Sequence, residues 1–323
     1  METHLAILTL ALLADRFIGD PQWLWERIRH PVVLFGSAID LADRLGNRPS
    51  ERESIRRRNG LIAILILLSL AVAIGLALSR IFDALSAIGF VLEVAVVTVL
   101  VAQKSLGDHV VRVAEALRSE GLAGGRSAVS RIVGRDPDSL DEDAICRAAI
   151  ESLAENFSDG VVAPALWYAV FGLPGILLYK MLNTADSMIG HRNERYLDFG
   201  RASARLDDLA NWPAARLSAL LIAGGAYFVR GRRAAERAYD VALRDAALHR
   251  SPNAGWPECA MAGALDLALA GARIYGGVVV REPFLNAAGR RHAKTDDIDA
   301  AVKVFYAACA VLTGLCAVLF LIL

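Results

Sequence analysis

Apolar positions in this chain gather into long uncharged blocks. Leu61 to Leu78 is one such block and Val304 to Leu323 is another. An α-helix needs about 18 or more residues of this kind to cross a hydrocarbon core. A buried core helix is the ordinary alternative, but a soluble core seldom needs two runs of that length. Thr3 to Ala14 is a shorter block that meets Asp15 and Arg16, with Glu2 where a signal peptide would carry basic residues. It therefore reads as an uncleaved first membrane segment.

Further along, the blocks are interrupted. Ile88 to Ala102 carries Glu93, Gly160 to Tyr179 carries Pro164 and the sequence Gly172-Leu173-Pro174-Gly175, and Leu217 to Val229 is short. The Gly160–Tyr179 stretch fits either a kinked span or two half-helices forming a re-entrant hairpin. Cys259 to Val280 contains Asp266 and Arg273, and is expected to lie against the membrane or inside the bundle. No alternating strand pattern or internal repeat is present. The fold class predicted is all-α: a polytopic helical membrane protein with roughly four to six membrane segments and polar helical loops. Residues 1–323 are read as a single integral-membrane domain.

Charge refines the topology. Arg56, Arg57 and Arg58 precede the Leu61 block, and the polar stretch Gln103 to Asp159 is again rich in arginine. By the positive-inside rule both lie in the cytoplasm, joined by a helical hairpin. Localisation in the cytoplasmic (inner) membrane, with a cytoplasm-accessible site, follows as an expectation. Mean hydropathy is +0.41. A net charge of zero gives no field that would mark a nucleic-acid binder. Lysine occurs only at Lys104, Lys180, Lys294 and Lys303, a skew that suits phosphate binding by arginine but that codon bias also produces. Cys146, Cys259, Cys309 and Cys316 lack metal-ligand spacing and read as small core residues.

Candidate chemistry sits in polar blocks at the ends of the apolar ones. On a helix, Glu151, Glu155 and Asp159 fall at successive i, i+4 positions and share one face. Like charges at that spacing repel, and a hard cation such as Mg²⁺ would relieve the repulsion through oxygen ligands. A solvated or arginine-paired acidic face is the plainer reading. Lys180, Asn183 and Ser187, with Asp186 beside them, form a polar stripe emerging from an apolar helix, and ionisable residues at membrane depth are functional candidates. Arg205-Leu206-Asp207-Asp208-Leu209-Ala210-Asn211 adds two carboxylates and an amide. An N-cap role for Asp208 or Asn211 ahead of Pro213 competes with a site role there. Arg131 and Arg135 flank a loop that suits phosphate or a plain surface, and Ser251-Pro252-Asn253 opens a rigid loop or a turn. There is no phosphate-binding P-loop, dinucleotide fingerprint or zinc-type His-Glu-x-x-His, and His109 and His249 receive no role.

Taken in order, these blocks resemble the adenosylcobinamide-phosphate synthases of cobalamin biosynthesis, the CobD/CbiB family. The matching pieces are Asp15-x-x-x-Gly19-Asp20-Pro21, His30-Pro31-Val32, Val133-Gly134-Arg135-Asp136, Glu151-Ser152-x-Ala154-Glu155-Asn156-x-x-Asp159-Gly160-Val161, Tyr179-Lys180-x-x-Asn183-Thr184-x-Asp186-Ser187-Met188-x-Gly190-His191, Ala204-Arg205-x-Asp207-Asp208 and Ser251-Pro252-Asn253. The resemblance implies ATP-dependent amide formation between adenosylcobyric acid and aminopropanol or its phosphate. It also implies Mg²⁺ held by Glu151, Glu155, Asp159 and Asp186, with Asp207 and Asp208 as further ligands. Lys180, Arg131, Arg135 and Arg205 would contact phosphates, Asn156 and Asn183 would orient ligands, and His30 or His191 would act as base. Ser187, Ser251 and Asn253 complete the expected substrate contacts, and other late enzymes of the pathway are possible partners. Two rival readings are a membrane Mg²⁺-dependent prenyltransferase, which needs a prenyl diphosphate and no ATP, and a corrinoid carrier or non-catalytic subunit, which forms no bond.

Overall fold

The structure, a computed structural model, describes residues 2–19, 25–27, 29–133, 138, 140–271, 273–275, 278–280 and 282–323, with the backbone alone for 273–275 and 278–280. The fold is all-α and multi-pass. Among the described residues five helical segments are long and apolar enough to cross a membrane: Glu53–Ala84, Ala87–Val129, Glu142–Ile189, Arg201–Arg230 and Thr295–Ile322. The chain divides into two compact units, one of residues 1–101, 163–211 and 316–323, the other of 102–162 and 212–315.

The first unit opens with α1 (Glu2–Phe17), α2 (Pro31–Gly46), α3 (Glu53–Ala84) and α4 (Ala87–Leu100). Pro31 at the first turn of α2 needs no hydrogen-bond partner, and the His30 ring accepts from the Val32 N–H at 3.2 Å. α1 buries Leu5, Leu8, Ala11 and Leu12 and packs on α4. α3 leaves Leu61, Leu65, Ile66 and Leu70 exposed. That outward apolar face is what lipid contact requires, and α3 extends past the Leu61–Leu78 block at both ends.

Ala163–Ile189 does not run straight. Gly172 has φ +65° and ψ −149°, outside any helix. A Cβ on Gly175 would lie 2.2 Å from the Trp167 carbonyl oxygen. In a straight helix those residues, eight apart, are about 12 Å apart along the axis. The chain therefore folds back at Gly172, and of the two alternatives for this stretch the half-helix hairpin is the one the backbone takes. We label its limbs together α7 (Ala163–Ile189). Pro174 stands just past the turn, against Gly75 of α3, whose Cβ would fall 2.5 Å from the Pro174 Cα. The segment after α7 is tied down by arginines: Arg195 bonds Asp43 at 2.5 Å, Arg57 bonds Asp198 at 2.6 Å, and Arg56 bonds Asn47 at 2.8 Å.

The second unit contains α5 (Gln103–Val129), broken at Gly121, and α6 (Glu142–Phe157). Asp141 caps α6 by accepting from the Ala144 N–H at 2.7 Å, with Glu142 and Asp143 in its first turn. A π turn, Ser158–Val162, follows directly. α8 (Arg201–Arg230) begins in the first unit, and the second unit takes it up from Trp212; then come α9 (Arg232–Asp245), α10 (Gly255–Leu265) and α11 (Thr295–Ile322). α8 runs unbroken through Pro213, so Asp208 and Asn211 sit mid-helix and the N-cap alternative fails. Cys259–Leu265 is buried within α10, and four very short strands appear where none was expected. β1 (Leu269–Ala270) pairs antiparallel with β4 (Phe284–Leu285), and β2 (Arg273–Tyr275) with β3 (Val278–Val280). With two or three residues each, they are too short to leave an alternating pattern. All four cysteines are buried, and burial pushes the Cys259 thiol up.

One ion pair in this unit makes a pH prediction. Asp245 receives Arg244 at 2.7 and 2.8 Å and the buried Asn286 N–H at 2.8 Å. The Arg244 guanidinium holds the carboxyl below its ordinary value. The unfolded chain then binds a proton more readily than the folded one. This stabilisation is fully present above the unfolded pKa of about 4 and is lost as pH falls through the lower folded value. Thermal unfolding of the wild type and of Asp245→Asn should differ at neutral pH and converge below about pH 4.

Candidate functional site

In the first unit two distant sequence blocks meet. Tyr179 and Asn183 come from the second limb of α7, Asp207 and Asn211 from α8, each pair one helical turn apart and so on one face. The Tyr179 hydroxyl donates to Asn211 Oδ1 at 2.8 Å. The Asn211 amide donates to Asp207 Oδ2 at 2.9 Å, and the Asn183 amide approaches Asp207 Oδ1 at 3.4 Å. Tyr179, Asp207 and Asn211 are buried, so each bond forms where an unmade one would be costly. Asp186 lies close enough to Asp207 and Asp208 for the like charges to interact, and Arg192 supplies opposite charge beside Asp208.

Around this cluster, Asn183 and Asp186 are half-buried, while Ser187 and His191 are exposed. Lys180 is half-buried on the same limb. His30 caps α2 and stands against the Trp25 ring at 4.4 Å, a structural role sufficient for its position. Arg205 is exposed on α8.

In the second unit, the acidic block of α6 does not present three equivalent carboxylates. Glu151 is buried, and its Oε1 accepts from the Ala270 N–H at 2.7 Å. Glu155 is exposed and Asp159 half-buried. The physical reason is twofold: α6 packs its Glu151 side on α10 and β1, and the π turn departs from α-helical spacing just before Asp159. Ser152 ties α6 to the Ile132 carbonyl at 3.0 Å, and the Asn156 amide donates to the Ser152 carbonyl at 2.9 Å. The buried Ser158 hydroxyl has no hydrogen-bond partner among the described residues. Arg131 is exposed, and Arg135 lies outside the described residues, as do Asp20 and Pro21.

The Ser251–Asn253 loop is a built turn. Ser251 Oγ accepts from the Asn253 and Ala254 N–H groups at 3.3 and 3.2 Å. Two features near it had no role in the sequence reading. Arg216 is sandwiched between the indoles of Trp212 and Trp256, 4.2 and 4.8 Å from their centroids, and reaches buried Asn253 Oδ1 at 3.4 Å. His249 approaches Glu258 at 3.6 Å with both side chains buried. The Trp-Pro pair at Trp212 and Trp256 was the available signal for the first of these; nothing in the sequence marked the second.

The donor chemistry of the first-unit cluster fits a hard cation: two or three carboxylates and two amides, all oxygen-bearing. Among the described residues no three His, Cys, Asp or Glu side chains converge to hold a metal by themselves. Mg²⁺ commonly takes only one or two carboxylates, with phosphate and water oxygens filling the rest, and Asp207 with Asp186 or Asp208 suits that mode.

Comparison with known proteins covers almost the whole chain. The family described as "CobD/Cbib protein" matches residues 8–305. A Rhizobium meliloti protein named cobalamin biosynthesis protein CobD is 65% identical over 96% of this chain and 94% of its own length. Proteins of the same name from Brucella suis and Rhodobacter capsulatus are 55% and 46% identical, over 98% and 87% of this chain and 96% and 86% of their own lengths. No solved structure matches.

Proposed function

The chain belongs to the CobD/CbiB family of cobalamin biosynthesis, and from that premise we propose that it joins the carboxylate of adenosylcobyric acid to the amine of aminopropanol or its phosphate, with ATP as cosubstrate. What carries the reading is the meeting of the Tyr179 and Asp207 blocks in one buried hydrogen-bonded chain. Two motifs of the resemblance, remote in sequence, supply one cluster of carboxylates and amides.

A carboxylate is a poor acyl donor. In the first step its oxygen attacks the γ-phosphorus of ATP; the acyl phosphate forms and ADP leaves. In the second, the amine nitrogen attacks the acyl carbon, loses a proton to a base, and phosphate departs. Overall a C–N bond replaces one carboxylate C–O bond, whose oxygen leaves in phosphate, and the terminal P–O bond of ATP is exchanged for the P–O bond to that oxygen. Mg²⁺ held through Asp207 would supply the positive charge that such a phosphoryl group requires. Asn183 and Asn211 fix the orientation of Asp207, and Lys180 on the same limb as Asn183 is assigned to phosphate. His191, exposed beside Asp186, is the better placed of the two candidate bases because His30 is engaged as a cap. Glu151, a metal ligand by the resemblance, also holds the β1 strand by accepting from the Ala270 N–H. The site is taken to open to the cytoplasm, where ATP is available.

The test is a product assay by mass spectrometry on the purified, detergent-solubilised protein with adenosylcobyric acid, aminopropanol phosphate, ATP and Mg²⁺. An ATP-dependent mass gain equal to amide formation is expected. Corrinoid binding without conversion would instead indicate a carrier or a missing subunit.

A further inference from the structure

The surface of the first unit carries a groove with a charged end and an apolar end. At the charged end Arg57 of α3 faces Arg201 and Arg205 of α8 across about 420 Å³, with Asp198 the acidic residue of the lining. Leu61, Leu65 and Leu206 continue it. Leu65 also lines a second, wholly uncharged groove of about 340 Å³ that runs on past Val72 to Leu76 and Leu178. From Leu61 to Leu76 the path follows α3 for about 22 Å, more than half the hydrocarbon thickness of about 30 Å.

The charges at the head of the groove are only partly balanced by the protein. Arg57 is paired with Asp198 at 2.6 Å and Glu53 at 3.4 Å. Arg201 and Arg205 are exposed, stand at i, i+4 where like charges repel, and have no carboxylate partner among the described residues. They also occupy the first turns of the 30-residue α8, whose N-terminal dipole adds to the positive potential. A free phosphate would satisfy the arginines and leave the apolar limb unused. A molecule with a phosphodiester head and a long apolar tail satisfies both. Arg56–Arg58 end where the Leu61 block begins, so the head would sit at the level where such groups occur in a bilayer.

We propose that this groove holds one anionic phospholipid of the surrounding membrane, its phosphate at Arg57 and Arg201 and one acyl chain along Leu61–Leu76. The groove borders the carboxylate cluster through Arg205, but the proposal does not rest on the proposed amide synthesis. Because the motif assigns Arg205 to substrate, the test leaves it unchanged.

Full-length protein is reconstituted in nanodiscs of equimolar phosphatidylglycerol and phosphatidylcholine, transferred to mild detergent, and examined by native mass spectrometry. One retained phosphatidylglycerol per chain is expected. Arg201→Ala should weaken retention about fivefold, the effect of one basic residue at an anionic surface. Leu65→Asn should weaken it as well, because the tail loses its channel. Each variant is first shown to be monodisperse with an unfolding midpoint near that of the wild type. Equal retention of the two lipids, or retention unaffected by Arg201→Ala, overturns the proposal. So does displacement of the bound lipid by inorganic phosphate with no dependence on Leu65, which would make this a simple anion site.

Discussion

Asp207→Asn should lower the rate of amide formation by about 10²–10³-fold, the usual cost of removing one preorganised electrostatic contact in an active site, while the protein stays folded. The substitution keeps the size of the side chain. It also keeps the hydrogen-bonded chain closed: an asparagine at 207 can donate to Asn211 Oδ1 if the Asn211 amide turns over, and the Tyr179 hydroxyl can then accept from the Asn211 amide nitrogen. What is lost is one negative charge beside Asp186 and Asp208. Asp207→Ala differs, since it leaves the buried Asn211 donor without its acceptor, at a cost of about 1–3 kcal/mol, and frees the half-buried Asn183 amide as well. The pair of variants separates chemistry from folding. Product formation followed by mass spectrometry beside thermal unfolding gives both readouts. Activity of Asp207→Asn within tenfold of wild type would remove the carboxylate cluster from the reaction.

The membrane character and the polar blocks were legible because each rests on local composition. An uncharged run the length of Leu61–Leu78 favours a membrane helix over a buried core one, and α3 is built around it. Meetings between blocks were not legible. Tyr179 looked like the edge of an apolar run, yet its hydroxyl orders Asn211, 32 residues later. Asp208 and Asn211 ahead of Pro213 carried the signature of a helix start. α8 passes through because a proline removes only one backbone hydrogen bond, and burial of Ala210, Asn211, Ala214 and Ala215 holds the helix on both sides of it. The i, i+4 carboxylates of α6 were read as one face from spacing alone. Burial of Glu151 against Ala270 depends on a contact 119 residues away, and the π turn depends on packing that no short window contains. The Arg216 sandwich is of the same kind: its indoles are separated by 44 positions in the chain, from Trp212 to Trp256.

Gly175→Ala should destabilise the protein by about 1–3 kcal/mol, the ordinary cost of overpacking, because the chain turns back at Gly172. In a straight transmembrane helix the same change would be neutral or stabilising by about 1 kcal/mol, because alanine is the better helix former. The sign therefore discriminates the two geometries. In the folded-back chain the new methyl meets the Trp167 carbonyl and the Phe171 Cβ, and a Cβ there would be 2.2 and 2.7 Å from them. Neither obstacle is the end of a flexible side chain, so the limbs must part. Gly75→Ala should behave alike, since its methyl meets the Pro174 backbone at 2.5 Å, and small residues are what let membrane helices approach this closely. Gly314→Ala is the control: nothing lies within 4 Å of its added Cβ, and it should be neutral or mildly stabilising. Unfolding midpoints of the three variants in one detergent make the comparison. A stabilised Gly175→Ala would return this segment to a straight crossing, with the Tyr179–Asn183 face moved away from Asp207. The fate of the hairpin and the fate of the carboxylate cluster are thus linked, because the second limb of the one presents the amide and hydroxyl that hold the other.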